Sequence, residues 1–107
     1  MFAIADVCYV PIGVGVSLSS YIAQAQKIFK SHNLKIHMHA YGTNIEGELD
    51  TIFAAIKECH DKFHAMGAPR VSSSIRLGTR VDREQHMEDK INSVEQKLLS
   101  TTEGFES

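Results

Sequence analysis

The chain predicts an α+β domain: a split βαββαβ arrangement with two helices on one face of a four-stranded antiparallel sheet, and a third helix appended at the C-terminus. Three observations lead there. Apolar residues alternate with period two over Leu34–Tyr41 and Arg70–Val81. They recur at helical spacing over Leu18–Phe29, Ile52–Met66 and Met87–Leu98. Gly or Pro stands at several of the junctions, notably Pro11-x-Gly13, Gly42 and Gly67-x-Pro69.

Taken in order, Phe2 to Val10 is apolar on both faces, as in a central strand, and Pro11 is expected to stop it. Gly13 and Gly15 make a loop, and Ser17 is a candidate N-cap for a helix whose stripe is Leu18, Ile22, Ala25 and Phe29. That helix ends near His32 and Asn33. Leu34, Ile36, Met38 and Ala40 then fall on one face of a strand, with Lys35, His37, His39 and Tyr41 on the other. Gly42 turns the chain into a short strand, Thr43–Glu48. The second helix starts near Leu49 or Asp50 and buries Ile52, Ile56, Cys59, Phe63 and Met66. Gly67 fits the position after its C-cap, and Pro69 forbids its continuation. Arg70–Val81 is the fourth strand. Asp82 can cap a third helix with the stripe Met87, Ile91, Val94 and Leu98, and residues 101–107 read as a flexible tail behind a single domain over residues 1–100.

With two helices on one face of the sheet, the other face is expected to carry Lys35, His37, His39, Tyr41, Ser72, Ser74 and Arg76 beside apolar side chains of the first strand. Such a mixed face marks a subunit contact or a ligand platform, so self-association is expected.

Bulk properties narrow the function classes. The 107 residues make one domain, and a formal charge of −2 with scattered Lys and Arg leaves no footprint for nucleic acid. No apolar run approaches the roughly 20 residues needed to cross a bilayer, and the opening M-F-A-I-A-D lacks a basic n-region. Cys8 and Cys59 lie inside apolar patterns and read as reduced core residues of a cytoplasmic protein.

The segment Y-G-T-N-I-E-G-E-L-D, Tyr41 to Asp50, holds the most chemistry. Glu46 and Glu48, two apart on an extended segment, point to one side of it, and Thr43 and Asn44 add a hydroxyl and an amide close by. A carboxylate among such groups suits a cationic or amidine-like heterocycle, to which it makes charge-assisted hydrogen bonds. The alternative is a carboxylate satisfied by Arg76 or Arg80, which could equally bind an anion.

Other constellations are weaker. Gly13-x-Gly15 lacks the third glycine of a dinucleotide fingerprint, although the helix start at Ser17–Ser20 offers N–H groups and hydroxyls to a phosphate. His37-x-His39 has metal-compatible spacing without a third ligand, and His60 and His64 are not an H-E-x-x-H pair, so no metal is expected. Ser72, Ser73 and Ser74 contain no nucleophile elbow and no adjacent base.

Three stretches together, P-I-G-V-G-V-S-L-S-S-Y from Pro11, G-T-N-I-E-G-E from Gly42 and R-V-S-S-S-I-R-L-G-T-R-V-D from Arg70, resemble the small thiamine-binding protein family over nearly the whole chain, from about Phe2 to Leu99. The resemblance implies a ferredoxin-like domain that assembles into homodimers and homotetramers. It implies a non-catalytic role in holding thiamine or hydroxymethylpyrimidine, with no required cofactor. Glu46 and Thr43 stand on one matching motif, and Ser17, Ser19 and Tyr21 on another. The expected function is therefore a cytoplasmic homo-oligomer that binds thiamine or a related pyrimidine, with no nucleic-acid or membrane partner. Glu46 would meet the aminopyrimidine or thiazolium, Thr43 and the Ser17 and Ser19 hydroxyls would orient it, and Tyr21 or Tyr41 would give aromatic contact. Two alternatives stand beside it: a structural or regulatory oligomer without a ligand, and a small enzyme of acylphosphatase type.

Overall fold

A computed structural model describes residues 1–15, 18–82 and 86–106, with side chains through residue 99. Its elements are β1 (Phe2–Ile12), α1 (Ser19–Ser31), β2 (Lys35–His39), β3 (Gly42–Glu48), α2 (Leu49–Ala65), β4 (Arg70–Thr79) and α3 (Met87–Glu106). The strands form one antiparallel sheet in the order β2-β3-β1-β4. This is the α+β sheet with an additional C-terminal helix that the periodicities predict.

Local chemistry explains the helix ends. In α1, Asn33 takes a left-handed φ of 58°, and Leu34 N–H returns to Phe29 O at 3.2 Å while Asn33 N–H reaches Lys30 O at 2.9 Å. In α2, Gly67 has φ 110°, with Ala68 N–H on Phe63 O and Gly67 N–H on His64 O, both at 3.1 Å. Both are Schellman closures that satisfy carbonyls the helix leaves over.

α1 and α2 cover one face. Ala3, Ala5, Val7 and Tyr9 of β1 point into that core, where Phe29, Ile45, Ile52, Cys59 and Phe63 are fully buried. The alanines keep the central strand flat enough for both helices to close on it. On the other face the register sets Lys35, Glu46, Ile4 and Gly78 in one cross-strand row, and His37, Asn44, Asp6 and Arg76 in the next.

Several boundaries differ from expectation: β4 ends at Thr79 and not at Val81, α3 runs on through Glu106, and three others have a clear cause. Pro11 does not stop β1, which continues through Ile12 paired with β4. β3 pairs β1 only as far as Val7, so Pro11 lies where one side of the strand is open and a missing donor is tolerated. β2 ends at His39 because Ala40 and Tyr41 make the turn. Asp82 does not cap α3. It pairs with Arg80, and α3 starts at Met87, whose N–H is accepted by Glu46 of β3 at 2.9 Å. A buried carboxylate from across the fold thus joins the local bond from His86 N–H to Asp89 Oδ2, at 2.9 Å, in satisfying the helix start. The start of α3 consequently lies on the sheet face opposite α1 and α2.

Candidate functional site

The unequal lengths of β1 and β3 create the site. Beyond Val7, β1 has β4 on one side and no strand on the other, so alternate residues from Cys8 onward present N–H and C=O groups to an open flank. The β2–β3 turn and α1 close around that flank. The result is a cavity of about 300 Å³ walled by Val7, Tyr9, Ile22, Gln26, His39, Tyr41 and Thr43 among others. An adjoining groove shares Ile22, Gln26, Met38 and His39 with it and adds Ser19, Lys27 and Lys30.

Polar groups in the cavity are held in place. Gln26 Nε2 donates to Thr43 Oγ1 at 2.9 Å, which leaves the nearly buried Thr43 hydroxyl its own proton to give. His39 Nδ1 accepts the Tyr41 N–H at 3.3 Å, so Nε2 carries the proton of the neutral ring and donates it to Asp6 Oδ1 at 2.7 Å. That link passes over Gly42, where a Cβ would stand 2.7 Å from Val7 O and 3.4 Å from Asp6 Oδ1. The Tyr41 ring is 87% exposed at the rim.

The expected site residues do not all converge here. Thr43 lies in the cavity and Ser19 on the groove, while Ser17 lies outside the described residues. Tyr21 is a core residue: it packs edge-on to Phe63 at 5.4 Å, and its hydroxyl donates to Met66 O. Glu46 points to the opposite face from Thr43, as positions three apart on a strand must. It is 4% exposed, and besides Met87 N–H it has His86 Nδ1 at 3.4 Å and Lys35 Nζ at 3.9 Å. The carboxylate expected to meet a cationic heterocycle thus fastens α3 to the sheet. Glu48 accepts from the Met1 ammonium at 2.7 Å.

Arg80 pairs with Asp82, and that hydrogen bond raises its pKa. Arg76 has no hydrogen bond or ion pair to the described residues and lines a separate cavity between the sheet and α3. Lys35 also bridges to Glu88 at 2.6 Å, which raises the lysine pKa.

Titratable groups in the core behave as buried ones do. Burial pushes the Cys59 thiol up to about 11, and burial raises Tyr9, with Cys59 adding to it. Tertiary structure supplies a base the sequence hid: His60 Nε2 lies 3.0 Å from Ser73 Oγ, although the ring has no second hydrogen-bond partner among the described residues and otherwise packs edge-on to Tyr9 at 5.8 Å. Among those residues no three His, Cys, Asp or Glu side chains group as a metal site, and no helix is long and apolar enough to cross a membrane. Gln26 is a wall residue that the sequence did not single out, and His39 reads there as half of a metal-compatible pair. Gln26 sits in no recognisable motif, and only the fold brings the two to Thr43.

A profile for the family described as thiamine-binding protein matches residues 5–95. The chain belongs to the thiamine-binding protein family. Among curated relatives of this family member, a UPF0045 protein of Synechocystis is 57% identical over 95 residues, covering 89% of this chain and 78% of the relative. A UPF0045 protein of Eremothecium gossypii is 37% identical over 99 residues, covering 92% and 94%. The crystal structure of a hypothetical protein from Methanocaldococcus jannaschii superposes with a TM-score of 0.80 at 36% identity, covering 87% of this chain and 95% of that one. A Thermotoga maritima protein described as a candidate in thiamine biosynthesis or salvage shares the fold, with a TM-score of 0.75 at 19% identity over 88% and 99% of the two chains.

Proposed function

We propose that this family member is a non-catalytic, cytoplasmic, homo-oligomeric protein that binds thiamine or a related pyrimidine in the cavity at the open flank of β1. The observation that carries the reading is an unpaired strand edge forming one wall of a small, mostly apolar cavity that also holds a fixed hydroxyl. An aminopyrimidine presents a ring nitrogen acceptor beside an amino donor. That pattern complements the alternating N–H and C=O groups of an unpaired strand. Thr43 donates one further hydrogen bond, and the exposed Tyr41 ring is available to cover the heterocycle.

Charge favours the pyrimidine end over the thiazolium as the recognised half. The adjoining groove carries Lys27 and Lys30, which repel a cationic ring. In this reading Glu46 holds structure and does not touch ligand, and Tyr21 supports the core beneath α1.

Isothermal titration with thiamine and with hydroxymethylpyrimidine tests it. Saturable binding is expected, and Thr43→Val should weaken it about tenfold, or about 1.4 kcal/mol. Absence of binding by either compound to the wild-type chain would overturn the reading. Unchanged affinity in Thr43→Val would remove the cavity from it.

A further inference from the structure

The sheet face opposite α1 and α2 carries a charge pair that the register sets up and the side chains leave open. Asp6 of β1 and Arg76 of β4 are direct cross-strand partners there, an arrangement in which opposite charges ordinarily meet. Asp6 Oδ1 is instead turned to His39 Nε2 at 2.7 Å, and its second oxygen has no hydrogen bond among the described residues. Arg76 is left without a counter-charge among those residues.

Both side chains wall the cavity of about 390 Å³ between the sheet and the first turns of α3. That volume falls within the roughly 300–1,000 Å³ of small-molecule sites. Its walls sort by chemistry. Asn44, in the same cross-strand row, adds a side-chain carbonyl and amide beside Asp6. Lys90 brings a second cation from α3, whereas Lys35 of β2 is already bridged to Glu88. Met87 and Ile91, one turn apart on that helix, supply apolar surface together with Ile4. Gly78 is two residues beyond Arg76 on the same face of β4 and lies opposite Ile4. Beyond its chain neighbours, a Cβ built there would meet nothing nearer than Ile4 O at 4.0 Å. The missing side chain keeps the space beneath α3 open.

Such walls complement a molecule with an anionic group, a cationic group and a short apolar part. We infer that this cavity binds a free α-amino acid with an apolar side chain. The Arg76 guanidinium takes the carboxylate through two parallel N–H groups, with Lys90 beside it. Asp6 and the Asn44 side-chain carbonyl take the ammonium, and Ile4, Met87 and Ile91 receive the side chain over Gly78. A bare phosphate fits less well, because the Asp6 carboxylate confronts any anion held by the arginine directly across from it. This site shares no wall residue with the cavity that holds Thr43, and it does not depend on the ligand proposed there.

Chemical-shift titration of the nitrogen-15-labelled full chain with leucine, leucinamide and isocaproate tests this. The last two lack in turn the carboxylate and the ammonium. Leucine should give saturable shifts at Asn44, Arg76 and Gly78, and each analogue should bind at least about tenfold more weakly. Arg76→Gln should weaken leucine binding about tenfold while leaving the thiamine titration unchanged. Gly78 has no positive φ, so Gly78→Leu can fill the cavity without backbone strain; it should abolish leucine binding with circular dichroism unchanged. A wild-type chain without leucine-dependent shifts at about 10 mM, a concentration that detects even a Kd of about 1 mM, would overturn the site. Leucinamide or isocaproate binding as tightly as leucine would overturn recognition of both charges. Full leucine affinity in Arg76→Gln or in Gly78→Leu would overturn the placement.

Discussion

The carboxylate of Glu46 accepts the backbone N–H of Met87 at 2.9 Å, joining residues 41 apart in sequence. Glu46 also attracts Lys35 and His86, and the His86 ring rests edge-on against Phe2 at 4.9 Å. A single buried acid thus organises the start of α3 on the sheet. Replacing it by Ala removes a charged acceptor and leaves donors unsatisfied, at a cost of about 1.5–3 kcal/mol. Amide hydrogen exchange should show lost protection at the first turn of α3, with the β1–β3 amides unaffected. Protection retained in α3 of Glu46→Ala would refute this role.

The neutral His39 ring should carry its proton on Nε2, because Nδ1 accepts the Tyr41 N–H while Nε2 faces Asp6. Nitrogen-15 shifts of the ring report the tautomer directly. In Asp6→Asn the Nε2–H bond to a charge is lost, and a mixed-tautomer signature is expected. A wild-type ring with the proton on Nδ1 would contradict the geometry.

Gly42 is required by contact, not by conformation. A methyl there would press on Val7 O at 2.7 Å, a backbone atom that cannot swing aside. Gly42→Ala should cost about 1–3 kcal/mol by denaturant unfolding, within the range for an overpacked site. A loss below a few tenths of a kcal/mol would show that the sheet yields there.

The two cysteines should differ in reactivity. Cys59 is fully buried with its thiol pushed up to about 11, whereas Cys8 is partly exposed. A thiol reagent at pH 8 should modify Cys8 alone until denaturant is added. The raised pKa also sets a pH dependence. Below the 9.0 of a free thiol, Cys59 is protonated in both folded and unfolded chains. As pH rises from there toward about 11, only the unfolded chain ionises, so stability falls, and Tyr9 acts in the same direction. The urea midpoint should drop across this window, less steeply in Cys59→Val. A midpoint flat to pH 11 would refute it.

Tyr21→Phe should leave ligand affinity unchanged and cost less than about 1 kcal/mol of stability, since its hydroxyl bond is long at 3.4 Å. Tyr21→Ala should cost about 3–5 kcal/mol, comparable to deleting a core Phe. A large affinity loss in Tyr21→Phe would return that residue to the ligand site.

Local rules made much of this protein legible from sequence. Strand alternation, helical stripes, the Gly67 closure and the opposed faces of the sheet each depend on residues within a few positions of one another, where the chain's own stereochemistry decides. Even the separation of Thr43 from Glu46 was readable, because strand parity puts positions three apart on opposite faces. Other features exist only once distant segments meet. The open flank of β1 depends on where β3 stops, the proton on His39 on Asp6 reaching past Gly42, the neighbour of Ser73 on α2, and the anchor of α3 on an acid 41 residues upstream. No local pattern encodes them, because each is a distance between side chains that only packing of the whole sheet against its helices sets.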